Sequence, residues 1–282
     1  MALSLPEALE RFEREAIRGV CNTQRYRLPY YIWGQGPPLF FVHGAADVSR
    51  SFLMTIALLK DSFQCIAYDL PGHRGDGAIL RHYRHADLVS DFFALLDHLQ
   101  IDNAAVLGSS FGGTIALKAL KAAPTRLTHG IIQGGLIHRP LKRAEWWLAW
   151  LARWLPGPTG KMPRREKILR AVHGGPFAGR GEEWWRAYVE WTGQARIATL
   201  GHQGRLLHGV DLRPDLPEIT QRVLIIAGDR DHVAPLSHAQ QIAAGLPNSQ
   251  LIILPGCGHV PCYTHPEEFA GAIRAFLPAS TP

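Results

Sequence analysis

The sequence predicts an α/β protein: a mostly parallel central sheet with helices on both faces, interrupted by a helical insertion. Three observations predict it. Short apolar runs alternate with segments of helical spacing from residue 25 to 134 and again from 222 onward, the rhythm of strand–helix–strand units whose strands are buried on both sides. Between residues 136 and 205 that rhythm disappears, and this stretch holds seven of the eight tryptophans. Charge divides the chain in the same place, because 135–205 carries 13 Lys and Arg against 5 acids, a net of +8, which leaves the remainder at −2. The expected organisation is therefore a core of 1–135 and 206–282, opening on an amphipathic helix over 1–20, with a helical lid over 136–205.

Composition bounds the class. A chain of 282 residues, 46% hydrophobic and 19% charged, is long enough for one large core plus an insertion. A net charge of +6 does not by itself imply nucleic-acid binding, so the expected partner is a small molecule. The first 19 residues contain Glu7, Glu10, Glu13 and Glu15 and lack the apolar heart of a secretory signal. No run approaches a membrane span. Cys21, Cys65, Cys257 and Cys262 form no CxxC pair, which fits a reduced, cytoplasmic protein without a transmembrane segment.

Taken in order, Leu5, Leu9, Phe12, Ala16 and Val20 fall at helical spacing among charges. Residues 25–33 read as one or two short strands, ended by Gly34-Gln35-Gly36-Pro37-Pro38. Leu39–Val42 is a buried strand running into His43-Gly44-Ala45-Ala46. A helix over about 51–59, a strand over 64–70, the turn Pro71–Gly75 and a helix over about 85–100 follow. Gly130–Gly134 is the next strand. In the insertion, Trp146, Trp147, Trp150 and Trp154 share helical spacing before Pro156-Gly157-Pro158, and 182–191 suggests a second helix. The core resumes with the strand-like run Arg222–Asp231, a helix around 237–244, a strand over 250–254 and a last helix over 266–277.

The centre of this scheme is Gly108-Ser109-Ser110-Phe111-Gly112-Gly113. An apolar strand precedes it and a helix follows, so Gly-x-Ser-x-Gly occupies a turn tight enough to require glycine on both flanks and to push Ser110 out at its tip. The turn also leaves the first amides of the next helix unpaired beside the serine. Alone the pattern is weak. A serine hydroxyl needs a base to take its proton and a carboxylate to orient that base. Asp231 lies just past one later strand and His259 just past the next. His43-Gly44, Asp69, Ser110 and Gly134 likewise follow strands, so a parallel sheet would gather all of them at one edge.

Five motifs in this order, His43-Gly44, Asp69-Leu70-Pro71-Gly72-His73, Gly108–Gly113, Gly228-Asp229-Arg230-Asp231 and Gly258-His259-Val260-Pro261, together resemble the α/β-hydrolase superfamily in its lid-bearing branch. The resemblance covers about 25–134 and 206–278. It implies Ser110 as nucleophile, His259 as base and Asp231 as the acid that orients it, with the amides of Ala45 and Phe111 as oxyanion donors. It selects Asp231 over its rival Asp229, and it implies neither metal nor cofactor. His43, Asp69 and His73 are expected to shape loops near the site. Cys257, His259 and Cys262 would resemble metal ligands only if His259 left the triad. Arg74 and Thr264 depart from the family pattern and bar transfer of a substrate from any one relative.

The implied activity is that of a serine hydrolase, most simply a carboxylesterase working through an acyl-enzyme on a small hydrophobic substrate. A C–C bond hydrolase, a lactonase or an amidase would use the same parts, and a non-catalytic ligand receptor could retain them. A base at His259 also implies a rate that falls on acidification through the range in which histidine titrates, about pH 6 to 7. The lid tryptophans, Trp146, Trp147 and Trp150 first among them, are the candidate walls of the substrate pocket.

Overall fold

The computed structural model describes residues 3–73, 76–80 and 83–278; Arg74 and Gly75 of the expected turn lie outside the described residues. The chain opens on α1 (Leu5–Glu15), where the Ser4 hydroxyl accepts from the Glu7 amide while the Glu7 carboxylate accepts from the Ser4 N–H, a reciprocal cap for the first helical turn. The helix expected over 1–20 ends here. Ala16 is extended, and Ile17–Asn22 forms strand β1, paired antiparallel with β2 (Arg27–Trp33). Ladder bonding along the sheet edge outweighs the helical spacing of Ala16 and Val20, and Val20 is left exposed.

The remaining core elements are β3 (Pro38–Val42), α2 (Leu53–Leu59), β4 (Gln64–Tyr68), α3 (His85–His98), β5 (Ala104–Ser109), α4 (Phe111–Ala122) and β6 (Leu127–Gln133). The insertion holds α5 (Arg143–Ala152), α6 (Arg165–Phe177), α7 (Glu182–Trp191) and α8 (Ile197–His208). The core then closes with β7 (Arg222–Gly228), α9 (Leu236–Gly245), β8 (Ser249–Leu254), α10 (Pro261–Thr264) and α11 (Pro266–Phe276). The boundary expected at 205 falls inside α8. Neither α6 nor α8 is apparent from sequence spacing, because Gly174-Gly175-Pro176 and the pair Gly201, Gly204 read as helix breakers. Pro176 sits in the last turn of α6, and Gly201 lets α8 lie so close to α5 that a Cβ there would stand 2.6 Å from the Ala149 carbonyl oxygen.

The eight strands form one sheet in the order β1-β2-β4-β3-β5-β6-β7-β8. β1, β2 and β4 pair antiparallel in succession; every pairing from β4 through β8 is parallel. The parallel strands look uniformly apolar because both faces are covered. Along β3, Phe40 and Val42 point into one core with Phe92 of α3 and Ile115 of α4, while Leu39 and Phe41 point into the other with Phe12 of α1, Ile56 of α2 and Ile273 of α11. Truncating Phe40 or Phe41 to alanine would cost about 3–5 kcal/mol by loss of burial and the cavity left.

This topology places the site. After β3 the chain adds β4 on one side and β5 on the other, so strand order reverses between β3 and β5, which pair directly with Val42 opposite Gly108. Loops leaving the two strands diverge at their carboxyl ends and open a crevice there. The His43–Ala46 loop and the Ser110 turn form its two sides.

Candidate active site

The serine turn is built by contacts that exclude side chains. A Cβ on Gly112 would lie 2.2 Å from the Val42 carbonyl oxygen, and one on Gly108 would lie 2.4 Å from that of Gly112. Between them Ser110 takes φ 51° and ψ −114°, a conformation that costs a non-glycine residue about 1–3 kcal/mol. It is held there because the Ser110 amide donates to the Gln133 carbonyl at 2.8 Å and its own carbonyl accepts from Gly113 at 2.9 Å.

Asp231 and His259 come from the loops after β7 and β8. His259 Nδ1 lies 2.7 Å from Asp231 Oδ2, and Asp231 Oδ1 accepts from the amides of Val233 and Ala234, each at 2.8 Å. Burial alone would raise the Asp231 pKa. The hydrogen bond and charge of His259, with the two amides, outweigh it and hold the carboxyl below its ordinary value. An ionised carboxylate only accepts, so the proton of His259 sits on Nδ1 and Nε2 is left with its lone pair. The rival acid Asp229 is exposed, away from this contact. Gln133, reached by the Ser109 hydroxyl at 2.6 Å, donates to the His259 carbonyl at 3.0 Å and ties the histidine loop to β6.

Ser110, His259 and Ala45 line one cavity of about 310 Å³ beneath the lid. No hydrogen bond joins Ser110 to His259, as is common before a ligand aligns the two groups. Phe111 opens α4, so its amide has no acceptor within the helix, and among the described residues the Ala45 amide also donates to nothing. Two N–H groups are thus available beside the serine. The neighbouring Ala46 amide is taken, donating to Oε1 of buried Gln203 on α8 at 2.8 Å.

The lid side is contributed by Met162, Arg165, Leu169 and His173 around α6 and by Tyr188 of α7. None of Trp146, Trp147 and Trp150 is among the lining residues. Those three pack edge-to-face in succession along α5, and Arg205 of α8 lies over the Trp146 ring. Trp184, Trp185 and Trp191 are buried within the lid and against Tyr263 of the core. Periodicity shows that tryptophans share a helix face; it does not show which way that face turns.

Three polar cavity residues, Asp47, His173 and Arg165, stand at positions that no spacing in the sequence singles out. Asp47 accepts from the Val48 amide and the Ser51 hydroxyl, and Ser51 accepts from Tyr263. Asp47 lines the cavity, and burial raises its carboxyl to about 6. Its place one residue beyond the His43–Ala46 loop is the one clue the sequence holds. His173 lies 6.2 Å from His259, ring centre to ring centre. Its Nδ1 has no hydrogen-bond partner among the described residues, and burial lowers it to about 4, so it is neutral. Arg165 donates to the Val189 carbonyl and the Thr192 hydroxyl.

His43, Asp69 and His73 cluster within reach of one another, but the ring of His43 is used on both sides. The Leu70 amide donates to Nε2 at 2.9 Å, so Nδ1 bears the proton and donates to the Gly44 carbonyl. Burial lowers His43 to about 4. Asp69 accepts from the Ser49 amide at 2.7 Å. These residues brace loops, and neither Asp69 nor His73 lines the cavity. Cys257 and Cys262 are buried, which raises both thiols, Cys257 to about 12; thiols held protonated are poor metal ligands. A second depression, about 500 Å³ near Phe12 and Tyr30, contains none of Ser110, Asp231 and His259.

A histidine–carboxylate pair facing a serine turn at the carboxyl edge of a parallel sheet leads to comparison with known proteins. Residues 39–272 match the alpha/beta hydrolase family. The chain belongs to that family. Among curated members it is 27% identical over 253 residues to a pimeloyl-[acyl-carrier protein] methyl ester esterase of Nitrosomonas europaea, covering 86% of this chain and 96% of that one. It is 26% identical over 272 residues to 3-oxoadipate enol-lactonase 2 of Acinetobacter baylyi, covering 91% and 95%. Among solved structures, a hydrolase of Pseudomonas aeruginosa superposes with a TM-score of 0.83 at 24% identity, over 93% of this chain and 98% of the other. At that identity the structural likeness speaks for the fold, which in this chain is an eight-stranded, mostly parallel sheet with the helical insert α5–α8.

Proposed function

We infer that this hydrolase cleaves a carboxylic ester, or a closely related acyl bond, of a small hydrophobic substrate through an acyl-enzyme on Ser110. The observation that carries the reading is the Asp231–His259 contact at 2.7 Å, opening onto a cavity that Ser110 shares. In the proposed mechanism Ser110 Oγ attacks the acyl carbon while His259 Nε2 takes its proton, and Asp231 stabilises the imidazolium through Nδ1–H. The carbonyl oxygen, now negative, accepts from the amides of Ala45 and Phe111, each such donor being worth about 10² to 10³ in rate. His259 then protonates the departing alcohol. Water, deprotonated in turn by His259, releases the acid and restores the serine. Side chains and amides account for every step, so the mechanism draws on no cofactor.

Cavity size and lining support a modest, largely apolar acyl group against Met162, Leu169, Leu200 and Val260. The esterase and enol-lactonase among the relatives keep lactones within the substrate range. A fluorophosphonate probe tests the nucleophile and a series of aryl esters of increasing acyl length tests the pocket. Labelling that Ser110→Ala abolishes, with turnover peaking at a short to medium acyl length, is expected. Unlabelled native protein would mark a ligand receptor instead.

A further inference from the structure

The lid carries a surface that the proposed chemistry leaves unused. On α5 and the turn that continues it, Trp147, Leu148, Leu151, Trp154 and Leu155 are each more than half exposed. Their spacing confines them to an arc of about 120° on a 3.6-residue helix, and that arc faces away from α8. An amphipathic helix on a protein normally turns its apolar stripe inward; here the stripe is on the outside, and α5 buries no residue fully. Exposed apolar patches of this kind mark contact surfaces.

The lid that carries the stripe is rich in unpaired cations. Lys142, Arg143, Lys161, Arg164 and Lys167 are exposed, and among the described residues none makes an ion pair, whereas Arg139, Arg170 and Arg180 of the same lid are all paired. The same lid carries the cavity entrance. Leu200 and Ile168 line the cavity and are exposed, and Gly201, next to Leu200, packs on Ala149, Ala152 and Arg153 of α5.

We propose that this outer face of the lid docks on an anionic lipid bilayer, with Trp147, Leu148, Leu151, Trp154 and Leu155 entering the headgroup boundary and the unpaired lysines and arginines meeting lipid phosphates. Tryptophan and leucine flanked by lysine and arginine are the chemistry of helices that lie in the plane of a membrane interface. Each cation near such a surface adds to the attraction. A second copy of this chain is a poor occupant, because a two-fold contact would set one lid of net +8 against another. The binding itself does not depend on the proposed catalysis.

Flotation with vesicles tests this, using phosphatidylcholine alone and phosphatidylcholine with about 30% phosphatidylglycerol. The intact chain is expected to float with the anionic vesicles and to be released at about 0.5 M salt. Leu148→Ser/Leu151→Ser/Trp154→Ser and Lys161→Glu/Arg164→Glu/Lys167→Glu should each weaken binding by about tenfold or more. Both should retain native unfolding temperature and turnover of a water-soluble short ester, and Ser110→Ala should bind like the unaltered chain. Failure of the intact chain to float with anionic vesicles overturns the proposal. So does binding indifferent to the lid variants, or a dimer in solution that the serine variants convert to monomer, or an acidic protein that binds this face of a chain that itself binds no lipid.

Discussion

Asp231 Oδ2 accepts from His259 Nδ1 at 2.7 Å while the other carboxylate oxygen is filled by two backbone amides. Asp231→Asn would preserve shape but could present an N–H to Nδ1, turning the histidine to the tautomer whose proton sits on Nε2, facing the serine. We expect kcat on an aryl ester to fall by about 10³ to 10⁴, with little change in unfolding temperature. A fall below tenfold would mean that Asp231 does not orient the base.

Asp47 gives a stability prediction whose sign is opposite to that of most carboxylates. Its folded pKa stands at about 6, above the ordinary 3.8, so between these values the native state binds a proton that the unfolded chain has released. Stability from this group is therefore present below about pH 4 and lost as pH rises through 6. Asp47→Asn keeps an oxygen to accept from Val48 and Ser51 and removes the buried charge. Urea unfolding should find the variant more stable by on the order of 2 kcal/mol at about pH 8 and equal to the unaltered protein at about pH 4. Equal stability at both values would contradict it.

Gln203 joins the lid to the loop that carries the Ala45 amide. Gln203→Ala leaves the buried Ala46 N–H without an acceptor, a loss of about 1–3 kcal/mol, and frees the loop to shift. If the amide at Ala45 is an oxyanion donor, kcat should drop about tenfold with KM nearly unchanged, and Gln203→Glu, which keeps the accepting oxygen, should restore most of it. A change confined to KM would place Gln203 in substrate binding instead.

The parallel core was legible because its strands bury both faces: Leu39–Val42, Ala104–Leu107 and Val223–Ile226 admit no polar residue, and such runs separated by helical spacing leave few architectures. The serine turn was legible for a steric reason, since the backbone approaches at Gly108 and Gly112 exclude any other residue. β1 was not, because Ile17–Asn22 is an edge strand whose burial pattern is irregular and whose pairing partner is set by the sheet. The lid was least legible. Glycines that in isolation end a helix serve in α8 as a packing surface, and the direction of a tryptophan stripe depends on where α5 docks, which no local pattern encodes.

The placement of the lid tryptophans separates two substrate pockets that the sequence alone would allow. Were Trp147 and Trp150 pocket walls, Trp147→Ala would enlarge the cavity and move the preferred acyl length upward. With Trp147 on the outer face and Leu169 among the lining residues, the expectation reverses. Trp147→Ala should leave the acyl-length profile of the aryl ester series unchanged. Leu169→Trp adds an indole ring to a cavity of about 310 Å³, and should shift the optimum to shorter acyl groups by raising KM for longer ones at least tenfold, about 1.4 kcal/mol of lost binding. A profile that moves with Trp147 and ignores Leu169 would return the pocket to α5.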